Sequence, residues 1–527
     1  MTVEEQYKHL EATVREYNPA ADILLIRAAF DFARKSHKGQ KRKSGEPYII
    51  HPIAVAQIVA EELKLDSESI VAALLHDVIE DTSATHEIVA RTFSPKIAEL
   101  VDGVTKLTRL PYSDREDEEM ENCRKMLIAT SRDIRVVLIK IADRLHNMRT
   151  MDYQTPEKQR LKSHETMEIY APIAHRLGMQ RIKWELEDLS FMYLDPVAFE
   201  EIHERLEVNR ARDEQLMRET SAEIEESLRD EEFREMLNDK NCTFTVQSRM
   251  KHPYSIYRKM FLLHKEYEEI TDLHAFRIIV NTTNQNDCYQ VLALVHDIYM
   301  PLDGRFKDYI GHPKPNGYQS IHTTVMDRHG HRFEVQIRTA AMHAVAEYGV
   351  AAHWKYKVNG QGDGTEERYE WIRRLLENQE SGYQEDFIST LKVDLFDDTV
   401  FVYTPQGEIR SLPAGATPID FAYCIHSAVG NRMVGARVNA RIVPMDYKLK
   451  TGDSVEIMTS QSARGPSRDW LSIAQTSEAK SKIRQWLKKE KRPENISNGR
   501  SSFEAELRRL NIPFKEVTDP EILPLLL

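Results

Sequence analysis

Residues 71–81 read VAALLHDVIED. The run is apolar on nearly every side, so the helix it predicts over Ser69–Asp81 belongs inside a helical core. Four polar groups nevertheless crowd its end. His76 and Glu80 are four apart, as are Asp77 and Asp81. At about 100° per residue they form two adjacent ridges on one face. Burying three carboxylates and an imidazole together is costly without a cation. Adjacent His76 and Asp77 can reach one divalent ion, which leaves Glu80 and Asp81 for water chemistry. The plainer alternative is a helix cap or a solvated tip.

Working outward, the remaining ligands must come from other helices. His51, in YIIHPIAVA, precedes a proline and an apolar stripe. Asp143, in IKIADRLHNM, sits on an otherwise apolar helix with Asn147 one turn on. Two imidazoles and two carboxylates make a mixed nitrogen and oxygen set, suited to manganese, iron or zinc. His51 alone reads more readily as a core or capping histidine than as a ligand.

The same helical periodicity recurs over Asp22–His37 and Asp133–Thr150, and strand-like alternation is scarce, so residues 1–195 are expected to form an all-α domain. Residues 196–240 are highly charged with a sparse apolar stripe, which predicts a helical connector solvated on most of its surface. Residues 241–345 mix strands, over 272–280 and 331–339, with a helix over 288–300, so a mixed α/β domain on one sheet is expected. A charged helical linker follows over 346–395. Residues 396–460 read as a small β-rich unit opened by a hairpin around Gln406-Gly407. Residues 461–527 read as helical, and basic through KSKIRQWLKKEKR (480–492). The helix at 480–492 could touch RNA, or could be a solvated helix with Ile483, Trp486 and Leu487 turned inward.

Bulk properties agree with several soluble domains. The 527 residues exceed one core at roughly 100–200 residues per domain. Apolar residues are 41% and charged residues 30% of the chain. No apolar run reaches the roughly 18 residues of a membrane helix, and the charged start MTVEEQYKHL lacks a secretory pattern. The expected setting is therefore the cytoplasm, with no membrane partner. Cys123, Cys242, Cys288 and Cys424 form no C-x-x-C pair, against a disulfide framework or a thiolate zinc site. A net charge of −12 does not suit a protein that coats DNA, so any RNA contact must be local.

A second constellation lies in the mixed region. On HRFEVQIRT (331–339), Phe333, Val335 and Ile337 face one side, while Arg332, Glu334, Gln336 and Arg338 face the other. That polar row is either a solvent-facing edge or a nucleotide surface. SRMKHPYSIYRKM (248–260) places Arg249 and Lys251 just before Pro253, which favours a first helical position. GRFKDYIGHPKPNGYQSIHTT (304–324) carries Arg305, Lys307, Lys314 and an Asn316-Gly317 turn that should expose Tyr318 for stacking on a base. Asp272 and Glu334 could share a magnesium ion. There is no G-x-x-x-x-G-K-[ST] loop, so a P-loop kinase is excluded.

The order H…HD…D resembles the HD superfamily of metal-dependent phosphohydrolases. More narrowly, RKSGEPYIIHP (42–52), HDVIED (76–81) and ADRLHNMRT (142–150) are similar to the hydrolase domain of Rel/Spo alarmone enzymes. That resemblance implies that His51, His76, Asp77 and Asp143 hold manganese. It also implies that Glu80 and Asp81 position and activate water, and that Arg42, Lys43, Ser44, Asn147 and Thr150 hold the guanosine nucleotide. Val78 and Ile79 stand where the family often has HDTVED.

Residues 248–260, 304–324 and 331–339 resemble the Rel/Spo synthetase domain, whose reaction moves the β,γ-pyrophosphoryl group of ATP to the 3′-hydroxyl of GDP or GTP, making (p)ppGpp. The resemblance implies a nucleotidyltransferase-like sheet. In it Arg249, Lys251, Ser255, Lys259, Arg277, Lys307 and Lys314 would hold phosphates. Asp272 would bind magnesium, and Glu334 would complete the metal site or accept the 3′-hydroxyl proton. Tyr318 would stack on guanine with His322 and Gln336 nearby. Arg305-Phe306-Lys307-Asp308 matches the version of a family signature associated with bifunctional members, and Ser248 departs from an expected glycine. Residues 398–430 resemble a TGS domain, a β-grasp unit, with His426 at a position implicated in contact with tRNA on the ribosome. Long members of the family continue further, so this chain is expected to be either truncated or a natural short form. Two other readings stay open: a guanine-nucleotide-binding regulatory protein on the ribosome with little catalysis, and a generic HD phosphohydrolase.

Overall fold

The computed structural model describes residues 1–106, 133–239, 242–314, 316–349, 399–463, 465–476, 478–487 and 509. The helical linker expected over 346–395 lies almost wholly outside these residues, as do Cys123 and most of 488–527. The chain divides into two compact units, Met1–Leu376 and Glu377–Leu527.

The first unit opens as a helical array whose centre is the helix Ser67–Leu75. Asp66 caps it, accepting from the Ser69 amide at 2.8 Å, which satisfies an otherwise orphaned donor. Every residue from Ser69 to Leu75 is buried, so the all-round apolar character of the run is met by helices on several sides: Ile23–Ser36, Ile50–Ile58, Pro95–Lys106 and Ile134–Arg149. Arg135, fully buried, locks the far end, donating to Asp66 and Glu68 at 3.0 Å and to Asp133 at 2.7 Å.

The single helix expected over Ser69–Asp81 is instead broken. It ends at Leu75, His76 and Asp77 form a turn, and one more helical turn follows at Val78–Asp81. Asp77 has φ −95° and ψ −5°, the sparsely populated bridge region where functional residues often sit. The His76 carbonyl, released from the helical ladder, accepts from Thr105 Oγ1 at 3.4 Å.

The segment expected to be a solvated connector does more than connect. Asp195 caps a 32-residue helix, Pro196–Ser227, with proline in its first turn. Ala198 and Ile202 pack at its start with Phe191, Ile256 and Leu273. Ile224, Leu228, Phe233 and Leu237 enter the core beneath the sheet. The apolar stripe is sparse because each end of the helix serves a different cluster and the middle is mostly exposed, as at Val208, apart from Asp213, buried against His274.

The sheet runs β1 (Thr243–Met250), β2 (His274–Asn281), β6 (Arg332–Thr339), β5 (Ile321–Met326) and β3 (Met300–Pro301), with β4 (Lys307–Asp308) also paired to β5. β2 and β6 are parallel and the other pairs antiparallel. Phe276, Ile278, Phe333, Val335 and Ile337 turn to a core shared with the helix Asn286–Ile298. Register then stacks the opposite face: Arg249 pairs Ala275, Ala275 pairs Glu334, and Arg277 pairs Gln336, which pairs His322.

In the second unit β7 (Thr399–Tyr403) and β8 (Ile409–Pro413) form the expected hairpin, with Gly407 at φ +86°. The helix Pro418–Ile425 packs with a sheet of β9 (Met433–Val438), β10 (Arg441–Val443) and β11 (Val455–Thr459). Asp420 is 1% exposed and accepts from Thr417, from the amides of Gln475 and Thr476, and from Thr476 Oγ1. Ile483 lies in the same core and Leu487 packs against it, as the inward reading of 480–492 requires.

Candidate active sites

The helical site is built where the His76-Asp77 turn meets the start of Ile50–Ile58 and the middle of Ile134–Arg149. His51, His76 and Asp77 each offer a donor atom, all within 4.8 Å of one another. His51 Nε2 is 3.2 Å from Asp143 Oδ1, and His76 Nε2 is 3.1 Å from Asp77 Oδ2. His76 Nδ1 lies 2.8 Å from the Ala73 carbonyl. Nδ1 therefore carries a proton, which leaves Nε2 as the atom that can face a cation. Nε2 is buried without a hydrogen bond, which is what a metal-binding imidazole oriented by a backbone carbonyl looks like. The donor set fits a divalent cation.

Electrostatics explain how so much charge is tolerated. Burial alone would lower the His76 pKa, but with no cation present the Asp77 carboxylate overrides it and raises it to about 9, so a metal ion would take the place of the Nε2 proton. Burial would raise Asp143, yet Lys140 and His51 hold it well below the usual carboxylate range. Lys140, buried, donates to Asp143 Oδ2 at 2.8 Å, and Asn147 donates to Oδ1 at 2.6 Å. Arg42 spans to Asn147 at 3.3 Å and Thr150 at 3.2 Å. Tyr48 Oη is 2.8 Å from both Asp77 and Asp81. Ser44 is tied to Glu46 and Lys43 is exposed.

The second site lies on the polar sheet face. Arg249, Lys251, Asp272, Arg277, Glu334 and Gln336 line one cavity with Ala275 and Phe276. Asp272, in the turn before β2, takes Lys251 at 2.8 Å and Lys259 at 2.6 Å. Burial opposes its ionisation, but the two ammonium groups bring its pKa down to about 2. Glu334 likewise falls to about 2 against burial, through His322 at 3.4 Å and Gln336 at 2.6 Å. Lys307 pairs in register with His322 across β4 and β5. Lys314 lies over Tyr309, 4.8 Å from the ring centroid. Ser255 Oγ is 2.6 Å from His252 Nε2.

Against known protein families, residues 29–180 match the HD domain, 248–361 the region found in RelA/SpoT proteins, and 400–459 the TGS domain. A bifunctional (p)ppGpp synthase/hydrolase, SpoT of Escherichia coli K12, is 46% identical over 511 residues, which cover 96% of this chain and 71% of that one. The chain belongs to the RelA/SpoT family. A GTP pyrophosphokinase of Myxococcus xanthus is 47% identical over 96% of this chain and 66% of its own length. A probable guanosine-3′,5′-bis(diphosphate) 3′-pyrophosphohydrolase of Synechocystis is 47% identical over 93% of this chain and 63% of its own. The chain thus spans about two thirds of the length of these relatives.

As a RelA/SpoT protein its order of domains is HD, then a synthetase domain on a mixed sheet, then TGS. One expectation about the site is corrected. Tyr318 is not thrown outward by the Asn316-Gly317 turn. The loop folds back, the Lys314 amide donating to the Tyr318 carbonyl at 3.1 Å, and Tyr318 Oη lies 2.8 Å from His322 Nε2. Its ring stands edge-on to Tyr309. Several residues had gone unnoticed in the sequence. Lys140 could have been found by its three-residue spacing from Asp143. Tyr48, His146, Trp184 and Glu347 leave no local signal. His426, exposed, caps the helix Ser427–Asn431 through Nδ1.

Proposed function

We propose that this chain both makes and removes the 3′-pyrophosphate of guanosine nucleotides, controlling the stringent response. The observation that carries the reading is two separate clusters in one chain: the His51, His76 and Asp77 donor set and the cation-lined cavity holding Asp272 and Glu334.

For removal, His51, His76, Asp77 and Asp143 are the residues that would hold a cation, manganese in this reading, which supplies Lewis acidity toward a phosphate oxygen. Glu80 and Asp81 orient the attacking water and take its proton, with Tyr48 fixing the Asp81 carboxylate. Arg42, Lys43, Ser44, Asn147 and Thr150 grip the nucleotide. Water breaks the bond between the 3′-oxygen and phosphorus, giving GDP or GTP and pyrophosphate.

For synthesis, the 3′-hydroxyl of GDP or GTP attacks the β-phosphorus of ATP and AMP leaves. Asp272 and Glu334 would hold magnesium, which neutralises phosphate charge. In this reading Glu334, an ionised carboxylate, also accepts the hydroxyl proton. Arg249, Lys251, Lys259, Arg277, Lys307 and Lys314, with Ser255, offset the charge on the transferring group. Tyr318, His322 and Gln336 hold guanine. The TGS unit, through His426, is the surface we assign to ribosome and uncharged tRNA, and the cytoplasm is the setting. Among the described residues no helix is long and apolar enough to cross a membrane.

The test is a paired assay: ATP, GDP and magnesium in one arm, ppGpp and manganese in the other, with Asp272→Ala and Asp77→Ala proteins alongside. Wild type should turn over in both, and each variant should lose one activity only. Nucleotide binding without turnover in either arm would make the chain a regulatory binder instead.

A further inference from the structure

Trp184 lies just beyond the HD match, on the helix Gln180–Leu194, yet its ring packs against Arg249, which lines the cavity on the sheet. The Arg249 guanidinium carbon sits 3.5 Å from the Trp184 ring centroid. Trp184 has no part in the chemistry above.

Arg249 needs some such partner. It lies on β1 with Arg277 on the neighbouring strand, diagonal in register and on the same face. Both line the cavity. Burial, then repulsion from Arg277, lower its pKa to about 10. Arg277 is held from outside by Glu347 at 2.9 Å. Among the described residues no hydrogen bond or ion pair engages the Arg249 guanidinium; the indole face is what it rests on. An aromatic face attracts a cation most strongly where water is scarce, and a planar guanidinium lies flat on it.

The tryptophan is itself fixed. Asp188, four residues on, accepts from the Tyr254 amide at 2.9 Å and lies 3.1 Å from His252 Nδ1. The His252 ring packs 5.5 Å from that of Trp184, centre to centre. The helix, the end of β1 and the start of the helix Pro253–Tyr257 therefore form one corner, and Arg249 rests on it.

We infer that Trp184 is a positioning residue of the synthetase site, holding the Arg249 guanidinium flat against the cavity wall where it meets ATP. The inference rests on the ATP-dependent reading above. Because Arg249 is read as a binding group, losing the ring should weaken ATP capture more than turnover.

The experiment compares Trp184→Ala and Trp184→Phe in the full chain. Three quantities are read: KM and kcat for ATP in synthesis, ATP affinity by equilibrium dialysis, and the rate of ppGpp hydrolysis. Trp184→Ala should raise KM and the dissociation constant for ATP about tenfold, or ~1.4 kcal/mol, with kcat within about threefold. Trp184→Phe keeps a ring face and should recover most of the loss. Hydrolysis should stay within about twofold in both, since the substitution should not disturb the HD site. Unchanged ATP affinity in Trp184→Ala overturns the inference. So does equal damage from Phe and Ala, or a parallel fall in hydrolysis. If wild type binds ATP but makes no product, the proposed reaction fails; weaker ATP binding by Trp184→Ala alone would then still uphold the positioning role.

Discussion

In the helical site three donor atoms come within 4.8 Å of one another, deep among helices, and one buried lysine answers Asp143. On the sheet the carboxylates are spread along a face: Asp272 has two lysines, and Glu334 has His322 and Gln336. The first arrangement gathers charge at a point and depends on every member. The second distributes it, with two ammonium groups sharing Asp272. A cation-binding cluster and a surface for a polyanion call for these opposite solutions.

The largest expected effect tests that contrast directly. Lys140→Met strips the buried Asp143 of its ammonium partner and leaves it with Asn147 and His51. Breaking a buried pair should cost roughly 3–5 kcal/mol, read by urea unfolding, with hydrolysis lost. Lys259→Met leaves Asp272 with Lys251 and should cost less than about 1 kcal/mol. Equal losses would erase the distinction. Next comes Glu165, half-buried beside Arg144 and Lys162. Burial works against it, but those cations bring its pKa down to about 2 from 4.5. A depressed carboxyl stabilises the fold fully above about pH 4.5 and progressively loses that contribution as pH falls toward 2, on the order of 3 kcal/mol. Glu165→Gln should flatten that part of the acid-unfolding curve; an unchanged curve would mean the helical half does not store stability this way. The smallest effect is at Tyr48. Tyr48→Phe removes the hydroxyl shared by Asp77 and Asp81 and should cut hydrolysis roughly tenfold to a hundredfold, with synthesis unaltered. A matching fall in synthesis would show that the sites are not separable.

What the sequence made legible follows the same contrast. The period of two over 331–339 placed Phe333, Val335 and Ile337 inward and Glu334 and Gln336 on the functional face, because a strand's alternation survives any tertiary context. The apolar run at 71–75 correctly marked a central helix. Its break at His76-Asp77 was not legible, since no glycine or proline signals it. The turn is stabilised from outside, by Thr105 and by the donors on two other helices. Tyr318 was misjudged because Asn-Gly reports a turn but not which way the chain emerges from it. Trp184 acts on the sheet from a helix that precedes it and Glu347 from the helix Ala340–Tyr348 that follows β6, and no spacing rule links either of them to Arg249 or Arg277.

Asp420 has a practical consequence. A fragment cut at residue 459, where the TGS match ends, would strip this buried carboxylate of the Gln475 and Thr476 amides and the Thr476 hydroxyl, and would uncover the apolar floor that Ala474, Ala479 and Ile483 complete. The unit that can be handled on its own in solution therefore extends at least to Leu487, and a domain drawn by homology alone would be a piece of a folding unit.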